Sequence, residues 1–470
     1  MTIVVLNGSP KGQYSITLQY VRYLEKQHPR QVFKVIHVAE RIKQLERNED
    51  LFWEVMAEID RADAVIWCFG VWVLAVSAQL IRFIELVRER SAGKVFKEKA
   101  TAALSTSIHY YDHIAHQYIR DVCDDLSMRY LDGISFDMLD LKSSKGRRQL
   151  SIFFQLLLDA VNRQGSHSAA GQSSVTEPFT YIPANPGRRI DPGPKKVLIL
   201  SDKQDAQSNS SKMVNRLADV FEGNCTVVDL NDVDIRGACR GCMQCGYDYT
   251  CRYRDGVTDF YNKQVRTSDI IIMAGTIQGH FLSSTWKTFF DRAFFWNHTP
   301  SLEGKQIAFL VSGLLRENQN LVQFLEASVT ARQNANLVDM VSDESADSRT
   351  IDMRLDELAQ RMLFYASVGY VKPQNFLAVG GHKIFRDNIW GRLRGVWQAD
   401  HRHYQRNGYY DFPQQKWMGR LANLMLMTAT KIPWFRRKFY RNLVKFPSKR
   451  MGKLIENGKP AKEAGYDTAM

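Results

Sequence analysis

The chain has 470 residues and a mass of 54.1 kDa, which excludes a single small domain and predicts two to four domains of ordinary size. Its 44% hydrophobic and 24% charged residues are typical of a globular protein and exclude a disordered or fibrous chain. The net charge of +13 is concentrated at one end, because residues 371–470 hold 20 Lys plus Arg against 6 Asp plus Glu. The basic character therefore belongs to the C-terminal tail.

The first predicted element is an apolar strand (TIVVLNGS), which leads into the loop LNGSPKGQYSIT at residues 6–17 and then into an amphipathic helix. Gly8 permits a tight turn, and Ser9, Ser15 and Thr17 place hydroxyl groups beside the amides of a helix N-terminus. This chemistry is typical of a phosphate site. A loop rich in Ser and Thr before a helix is also typical of an ordinary N-cap, so the loop alone leaves both interpretations open.

The longest uncharged stretch runs from Ala64 to Leu80, and its length raises the question of a membrane span. It divides into a β-branched and aromatic run (AVIWCF), a turn at Gly70, and a helical pattern that continues past Arg82. We therefore predict a buried parallel strand followed by a helix, and no span. The lack of a signal-peptide pattern and the low, odd number of 7 cysteines favour a cytoplasmic protein.

Residues 164–194 are rich in Gly, Ser and Pro and have no hydrophobic period, which predicts a linker. Three patterns on its two sides recur at an offset of 206 residues; ADAVI, for example, returns as SDIII. In each copy, short apolar strands alternate with helical stretches. The sequence therefore predicts an α/β fold with two doubly wound parallel-sheet domains in tandem, at 1–163 and 195–375, followed by a basic, mainly helical region at 376–470. Such sheets bind ligands beyond the carboxyl ends of their strands.

The second copy has gained about 12 residues, in an interval that holds Cys239, Cys242, Cys245 and Cys251. Four thiols this close together, with glycines between them, can surround one side of a cubane cluster, and a [4Fe-4S] cluster is the leading interpretation. Free thiols in a structural loop and a zinc site are the alternatives. Zinc sites usually join two cysteine pairs across a longer spacer, which this segment lacks.

Together these motifs resemble the NAD(P)H-dependent FMN reductase group of flavodoxin-like proteins. The resemblance rests on LNGSPKGQYSIT, ADAVIW, VSAQLIRFIEL and a strand ending in STS in the first copy, and on TSDIIIMAGTIQG and LSSTWKTFFDR in the second. It implies that the first loop binds the FMN phosphate through Ser9, Lys11, Ser15, Ile16 and Thr17. It also implies that Gly70, Val71, Trp72, Val73 and Leu74 lie against the isoalloxazine ring, and that Ser105, Thr106, Ser107 and His109 contact the ring edge.

The same resemblance implies a flavin site in the second copy, with Ser208, Asn209 and Ser210 at the phosphate and Thr276, Ile277 and Gln278 at the ring. The first loop of this copy lacks Gly-Ser-Pro, and its Asp202 and Asp205 bring negative charge near the prospective phosphate. The cysteine segment is similar to that of the iron-sulfur flavoproteins, which implies a [4Fe-4S] cluster beside FMN. Which copy holds the flavin stays open.

The implied function is a flavin-dependent oxidoreductase that passes electrons from NAD(P)H through FMN, and through a [4Fe-4S] cluster where present, to an unidentified acceptor. This chemistry needs no dedicated acid or base; the candidates for one are His109, His113 and His116. The alternative is a non-catalytic scaffold of degenerate flavodoxin-like domains, attached to a membrane or a partner by its tail. Reductases of this group build flavin sites at dimer contacts, which implies a homo-oligomer or a similar contact between the two copies.

In the tail, PWFRRKFYRNLVKFP at 433–447 places Phe435, Phe439, Leu443 and Phe446 on one helical face with basic residues around them. Such a helix can pack within the protein or a dimer, lie on an anionic membrane surface as a peripheral contact, or bind nucleic acid. No zinc-finger, KH or RNP signature favours nucleic acid. Packing and membrane association therefore stay open as the two main interpretations.

Overall fold

The computed structural model describes residues 1–162, 179–187, 189–202, 205–296 and 298–443. Half of the predicted linker and the end of the predicted tail helix, including Phe446, lie outside these residues. The chain divides into two compact units, Met1–Arg406 and Asn407–Met470. Every strand of the described residues lies in the first unit.

The strands form two five-stranded sheets in which all neighbours are parallel. The first sheet contains β1 (Thr2–Asn7), β2 (Val32–Ile36), β3 (Ala64–Gly70), β4 (Ala100–Ser107) and β5 (Arg129–Asp137). The second contains β6 (Val197–Ser201), β7 (Cys225–Asp229), β8 (Ile270–Thr276), β9 (Gln306–Ser312) and β10 (Asn336–Ser342). The strand orders β2-β1-β3-β4-β5 and β10-β9-β8-β6-β7 are equivalent, and both are the flavodoxin order. The predicted tandem of two flavodoxin-like α/β domains is confirmed.

The helices follow the strands as the sequence pattern predicts. In the first domain they are α1 (Ile16–Gln27), α2 (Ile42–Arg47), α3 (Glu49–Asp60), α4 (Ala78–Glu89), α5 (Asp112–Asp125) and α6 (Ser144–Asn162). In the second they are α7 (Asn209–Ala218), α8 (Gly256–Phe260), α9 (Ser284–Arg292), α10 (Gln319–Gln333) and α11 (Ser348–Val368). They are followed by α12 (Phe376–Trp390), α13 (Gln398–Arg406), α14 (Trp417–Ala429) and α15 (Pro433–Leu443).

The central strands are buried on both faces because their side chains are continuously apolar. β3 is buried from Ala64 to Phe69, and α4 begins after Ser77, whose hydroxyl oxygen accepts a hydrogen bond from the Leu80 amide. The uncharged stretch is therefore a strand and a helix, as predicted. None of the helices in the described part of the chain has the length and hydropathy that crossing a bilayer requires.

The two domains contact each other through α4 and α9, and the contact is reciprocal. The Asp291 carboxylate on α9 accepts a hydrogen bond from the Ala78 amide at the start of α4, at 2.9 Å. The Glu85 carboxylate on α4 accepts one from the Ser284 amide at the start of α9, at 2.6 Å. The offset of 206 residues relates the two pairs. The domains therefore face each other as the subunits of a two-fold symmetric dimer do, and one apolar core is continuous between them.

Helices α12 and α13 belong to the first compact unit. Ile389 of α12 and Tyr404 of α13 are fully or almost fully buried, and so is Trp397 between the helices. Helices α14 and α15 belong to the second unit and have no buried residue. The C-terminal region thus contains a packed part and an exposed part.

Candidate functional site

A cavity of about 370 Å³ opens at the carboxyl ends of the first sheet, where doubly wound sheets bind their ligands. Its first wall consists of the loops that follow β1, β3 and β4. The predicted residues in this wall are Ser9, Lys11, Ser15, Ile16, Thr17, Gly70, Val71, Trp72, Val73, Leu74, Thr106 and Ser107. Pro10, Ile108, Tyr110 and Met138 lie beside them without having been predicted. The structure therefore brings most of the predicted first-domain residues to one cavity.

The loop after β1 leaves the start of α1 open toward this cavity. Ser15 is the N-cap of α1, but its side chain accepts no hydrogen bond from the first turn of the helix. The Ser9 hydroxyl oxygen accepts a hydrogen bond from the Lys11 amide at 3.3 Å, and the Thr17 hydroxyl donates one to the Phe69 carbonyl at 3.0 Å. The first amides of a helix attract an anion when no side chain caps them. This loop therefore suits a phosphate group.

The loop after β3 is a turn with strained backbone. Val73 and Leu74 have φ angles of +46° and +69°, a conformation that costs non-glycine residues about 1–3 kcal/mol each. Trp72 and Ala75 close the turn through backbone hydrogen bonds of 2.7 and 3.3 Å. The Lys287 ammonium on α9 donates to the Trp72 carbonyl at 2.9 Å. The second domain therefore helps to fix the turn that was predicted to face the isoalloxazine ring.

The opposite wall of the cavity comes from outside the first domain. It consists of Gly241, Met243, Phe294, His298, Phe385, Leu393, Val396 and Trp397. The rings of Trp72 and Phe294 lie 4.4 Å apart, and a Cβ atom on Gly241 would lie 2.9 Å from the Lys11 side chain, so the two walls are in contact. None of these residues was predicted to bind the flavin. Gly241 and Met243 lie in the cysteine segment that the resemblance placed beside FMN, and Phe294 lies in the aromatic run FFDRAFFW, which is equally typical of a buried helix.

The charge of the cavity favours an anion. Lys11 is the only Lys or Arg among the described lining residues, and none of them is Asp or Glu. Burial lowers the pKa of the Lys11 ammonium, and the nearby thiols of Cys239 and Cys242 act in the opposite direction. The Lys11 nitrogen lies 5.9 Å from the centre of the Trp72 ring. A positive side chain therefore lies close to both the predicted phosphate loop and the predicted ring loop.

Two predicted ring-edge residues and two further histidines lie outside this lining. The Ser105 hydroxyl is hydrogen-bonded to His116 Nε2 at 2.8 Å, and burial lowers the pKa of His116 to about 4. His109 pairs with the Asp112 carboxylate at 3.0 Å, and His113 is exposed. None of the three histidines considered as an acid or base, His109, His113 and His116, is among the described residues that line the cavity.

The corresponding phosphate loop of the second domain is closed by hydrogen bonds within the chain. Ser208 caps α7, and its hydroxyl oxygen accepts the Ser211 amide at 3.2 Å. The Asn209 side chain donates to the Phe179 carbonyl and to the Asp343 carboxylate, both at 2.8 Å. The start of α1 in the first domain has no side-chain cap, whereas the start of α7 in the second domain is capped by Ser208.

Two carboxylates also lie at this end of the second sheet. Asp202 stands where the first domain has Gly8; it is 6% exposed and accepts a hydrogen bond from the Ser283 hydroxyl. Burial raises the pKa of Asp202 to about 6. Asp343 is 7% exposed and accepts a hydrogen bond from the Ser312 hydroxyl at 2.7 Å. The electrostatic environment at these positions is unfavourable for a phosphate.

The other residues predicted in the second copy take the expected places in the fold. Ser210 is buried in the first turn of α7, and Thr276 ends β8. The Ile277 amide donates to the next strand at 2.9 Å, and the Gln278 carbonyl accepts a hydrogen bond from Arg88 of α4 at 3.4 Å. The turn is thus preserved, but α4 of the first domain contacts it.

The four clustered cysteines line a second cavity, of about 140 Å³, that shares Met243 and Phe294 with the first. Its lining includes Cys239, Cys242, Cys245, Cys251 and Arg292. The Arg292 guanidinium is fully buried and is bound by both carboxylate oxygens of Asp255, at 2.7 and 2.8 Å. The four cysteine residues therefore lie around one cavity.

The cysteine cavity does not have the geometry of a metal site. In the part of the chain that the structure describes, no three His, Cys, Asp or Glu side chains are placed to hold a metal ion. Burial raises the pKa of the Cys239 thiol to about 12 and also raises that of Cys245. The structure thus gives no support to the [4Fe-4S] or the zinc interpretation.

Comparison with known proteins gives one family. The family model described as NADPH-dependent FMN reductase matches residues 1–138 and 195–343, more than half of the chain. No curated protein sequence matches the chain significantly. Similar solved structures include the flavoenzyme NAD(P)H:(acceptor) oxidoreductase FerB from Paracoccus denitrificans, with 14% identity over 34% of this chain and 97% of that chain and a TM-score of 0.30. An FMN-dependent NADH-azoreductase from Bacillus anthracis has 13% identity over 36% of this chain and 100% of that chain, with a TM-score of 0.29.

Proposed function

This chain belongs to the NADPH-dependent FMN reductase family, and from that premise we propose that its first domain binds one FMN and passes electrons from NAD(P)H to an acceptor. Family membership makes it an NAD(P)H-dependent flavin oxidoreductase in general terms. The phosphate would be held by Ser9, Lys11, Ser15, Ile16 and Thr17, and the ring by Gly70, Val71, Trp72, Val73, Leu74, Thr106 and Ser107. When bound, FMN accepts a hydride from NAD(P)H and returns the electrons to the acceptor.

One observation carries this proposal. The first-domain residues that the resemblance assigns to the phosphate and to the ring line a single cavity, which has no described acidic side chain and an aromatic opposite wall. Its volume of about 370 Å³ lies in the range of small-molecule pockets. A scaffold of degenerate domains has no need of such a cavity. The two buried carboxylates that disfavour a phosphate, Asp202 and Asp343, lie in the second domain.

We assign the flavin to the first domain alone because the two helix starts differ. The N-cap serine of α1 leaves the first-turn amides uncapped, whereas the N-cap serine of α7 accepts one of them. In this proposal the second domain contributes the Lys287 contact to the ring loop and, together with the C-terminal helices, the opposite wall of the cavity. The chain then holds one flavin between two domains that differ in role.

Repeated local contacts support a tandem duplication as the origin of the two domains. The Asp63 carboxylate accepts the Thr2 amide at 2.7 Å, and the Asp269 carboxylate accepts the Lys196 amide at 3.0 Å, in the same place in each sheet. The domain boundaries 1–163, 195–375 and 376–470 belong to this proposal. The [4Fe-4S] cluster stays a prediction from the cysteine spacing.

Anaerobic purification followed by flavin, iron and sulfide analysis tests the proposal. We expect about one FMN per chain and a yellow protein whose flavin absorbance bleaches when NAD(P)H is added. Iron and sulfide in equal amounts, about four of each per chain, would establish the cluster. A colourless protein that takes up no FMN on titration would contradict the proposal and favour the scaffold.

We further propose that the second compact unit binds an anionic membrane surface. Large apolar side chains are exposed along α14 and α15, namely Trp417, Met418, Leu421, Leu424, Met425, Met427, Trp434, Tyr440 and Leu443. From Phe412 to Leu443 the sequence has seven Lys or Arg and no Asp or Glu. Exposed aromatic and aliphatic side chains beside uncompensated positive charge are the combination that binds anionic lipid.

Vesicle sedimentation tests this membrane contact. We expect the protein to sediment with phosphatidylglycerol-containing vesicles and not with pure phosphatidylcholine vesicles. The pair Arg436→Glu and Arg437→Glu should weaken binding by about 30-fold or more, because each basic residue near an anionic surface contributes about 1 kcal/mol. The matched control reverses two exposed charges on α6, Lys145→Glu and Arg148→Glu, and should bind normally. Equal losses of vesicle binding in the two double variants would show that the vesicles attract the protein non-specifically through its overall charge.

A further inference from the structure

A basic surface borders the flavin cavity and the cysteine cavity. Two segments form it, residues 236–255 of the second domain and residues 391–406 of the C-terminal region. Their arginines are all exposed, namely Arg236, Arg240, Arg252, Arg254, Arg392, Arg394, Arg402 and Arg406. The two segments also hold three aspartates, of which Asp255 and Asp400 have side chains that are only 0% and 3% exposed. Eight exposed positive charges therefore accompany one exposed carboxylate, that of Asp248.

The two segments that carry these arginines are in direct contact. Gly246 lies so close to the second segment that a Cβ atom on it would be 2.3 Å from the Val396 carbonyl oxygen. The Arg402 guanidinium donates a hydrogen bond to the Tyr247 carbonyl at 2.6 Å and lies 5.8 Å from the centre of the Tyr247 ring. The arginines of both segments therefore belong to one continuous basic surface.

Most of the charge on the basic surface is not neutralised within the chain. Of the eight arginines, two form an ion pair in the described part of the chain: Arg236 with Asp234 at 3.6 Å, and Arg392 with Asp137 at 2.7 Å. A surface of uncompensated positive charge attracts acidic partners and accelerates their association. The basic surface is therefore suited to a partner that carries negative charge.

The position of the basic surface indicates what such a partner does. Arg240 and Arg252 line the cysteine cavity, and Leu393, which lies between two of the arginines, lines the flavin cavity. Tyr247 and Val396 are 61% and 43% exposed beside them. Arginines around exposed aromatic and apolar side chains are typical of protein interfaces, and small interfaces are typical of transient electron-transfer complexes. A protein bound here would lie next to the proposed source of electrons.

We propose that the basic surface is the docking site of an acidic one-electron carrier protein, which accepts the electrons that leave the flavin. This inference rests on the proposed function, which supplies those electrons from NAD(P)H. Two carrier molecules each gain one electron in turn, reduced FMN (FMNH₂) is oxidised to FMN, and its N1 and N5 protons pass to solvent. The arginines bind and orient the carrier and take no part in the transfer of protons.

Two one-electron haem proteins of opposite charge test the proposal: cytochrome b5, whose surface is acidic, and cytochrome c, whose surface is basic. In calorimetric titrations we expect the FMN-loaded protein to bind cytochrome b5 and not cytochrome c, with an affinity that falls as salt is added. The triple variant Arg240→Glu, Arg252→Glu and Arg254→Glu should weaken this binding by about 100-fold. After anaerobic reduction with NADPH, its reoxidation by cytochrome b5 should slow by a similar factor. Reoxidation by p-benzoquinone, a small uncharged acceptor, should not change.

The matched control reverses three exposed charges at the opposite, amino-terminal edge of the first sheet, Lys26→Glu, Arg30→Glu and Lys94→Glu, and should bind cytochrome b5 normally. Equal losses in the two triple variants would overturn the proposal, because overall charge would then explain the attraction. Equal binding of the two cytochromes, or equal slowing with p-benzoquinone, would also overturn it. So would a loss of binding to anionic vesicles while cytochrome b5 still binds, which would assign the arginines to lipid. Failure of the unmodified protein to take up FMN contradicts the proposed function instead, and titration of that apoprotein with cytochrome b5 still tests the docking site.

Discussion

The substitution Ser15→Asp should expel FMN from the protein. Ser15 precedes α1 and leaves the first-turn amides of this helix uncapped, so an aspartate there places a carboxylate at the predicted phosphate position. Two like charges about 4 Å apart repel each other by roughly 4 kcal/mol at an effective dielectric constant of about 20. We therefore expect the affinity for FMN to fall by about 100-fold or more. Fluorescence titration of the apoprotein with FMN measures this loss.

Helix α1 itself should tolerate the change. Aspartate is as good an N-cap as serine, and a negative charge is favourable at a helix N-terminus, so the melting temperature of the apoprotein should not fall. The matched control is Ser208→Asp at the start of α7, which we expect to leave both the affinity and the stoichiometry of FMN unchanged. Loss of FMN with Ser208→Asp, and not with Ser15→Asp, would move the flavin to the second domain.

The strands and the first wall of the cavity could be predicted because their signals are local. Each strand is a short apolar run, and each loop of the first wall is contiguous in sequence. The offset of 206 residues also relates the turns that follow β3 and β8. Backbone bridges join Trp72 to Ala75 and Gln278 to Phe281, at positions separated by that offset. Short-range hydrogen bonding therefore repeats where the sequence pattern repeats.

The opposite wall could not be predicted because packing alone brings its residues together. Phe294 and Trp397 lie in ring contact, with centroids 5.2 Å apart, although about a hundred residues separate them. The match to the family model ends at residue 343, before Phe385 and Trp397. Neither residue carries a motif, since aromatic side chains in a helical pattern are typical of any buried helix. The site residues of the C-terminal helices were therefore invisible to local reasoning.

Only one of the two buried carboxylates near the start of α7 in the second domain could be recognised from the sequence. Asp202 stands in the first loop, and its unfavourable position was visible in the sequence. Asp343 follows β10, more than a hundred residues further along the chain. Its carboxylate nevertheless accepts a hydrogen bond from Asn209, the first residue of α7. The four cysteines are close in sequence and line one cavity, but metal binding depends on the directions of their Sγ atoms. Those directions are set by tertiary contacts, among them the hydrogen bond between the Cys239 carbonyl and the Gln79 side chain.

A buried ion pair connects the two domains beneath the ring loop. Lys287 and Asp291 on α9 have fully buried side chains and form an ion pair one helical turn apart. The Lys287 ammonium also donates to the Trp72 carbonyl, and the Asp291 carboxylate accepts the Ala78 amide. In the first domain the position equivalent to Lys287 is Ile81, so this contact is not reciprocal. It is the clearest way in which the second domain acts on the flavin site.

The substitution Lys287→Met should weaken both the fold and the flavin site. Removing the ammonium leaves the Asp291 charge buried without its partner, which typically costs about 3–5 kcal/mol of unfolding free energy. The strained turn at Val73 and Leu74 also loses the donor that holds the Trp72 carbonyl, so FMN affinity should fall by about 10-fold. Urea unfolding of the apoprotein and fluorescence titration with FMN measure the two effects separately.

The double variant Lys287→Met and Asp291→Asn separates stability from positioning. Asparagine at position 291 removes the buried charge and still offers a carbonyl oxygen to the Ala78 amide. Replacing a whole buried ion pair is often nearly neutral, so most of the unfolding free energy that Lys287→Met loses should return. FMN affinity should stay low, because the Trp72 carbonyl still lacks its donor. The control is Lys263→Met, in a similar pair with Asp259 that is more than 70% exposed, which should cost less than about 1 kcal/mol. If the double variant regains full FMN affinity, Lys287 only neutralises Asp291 and does not position the ring loop.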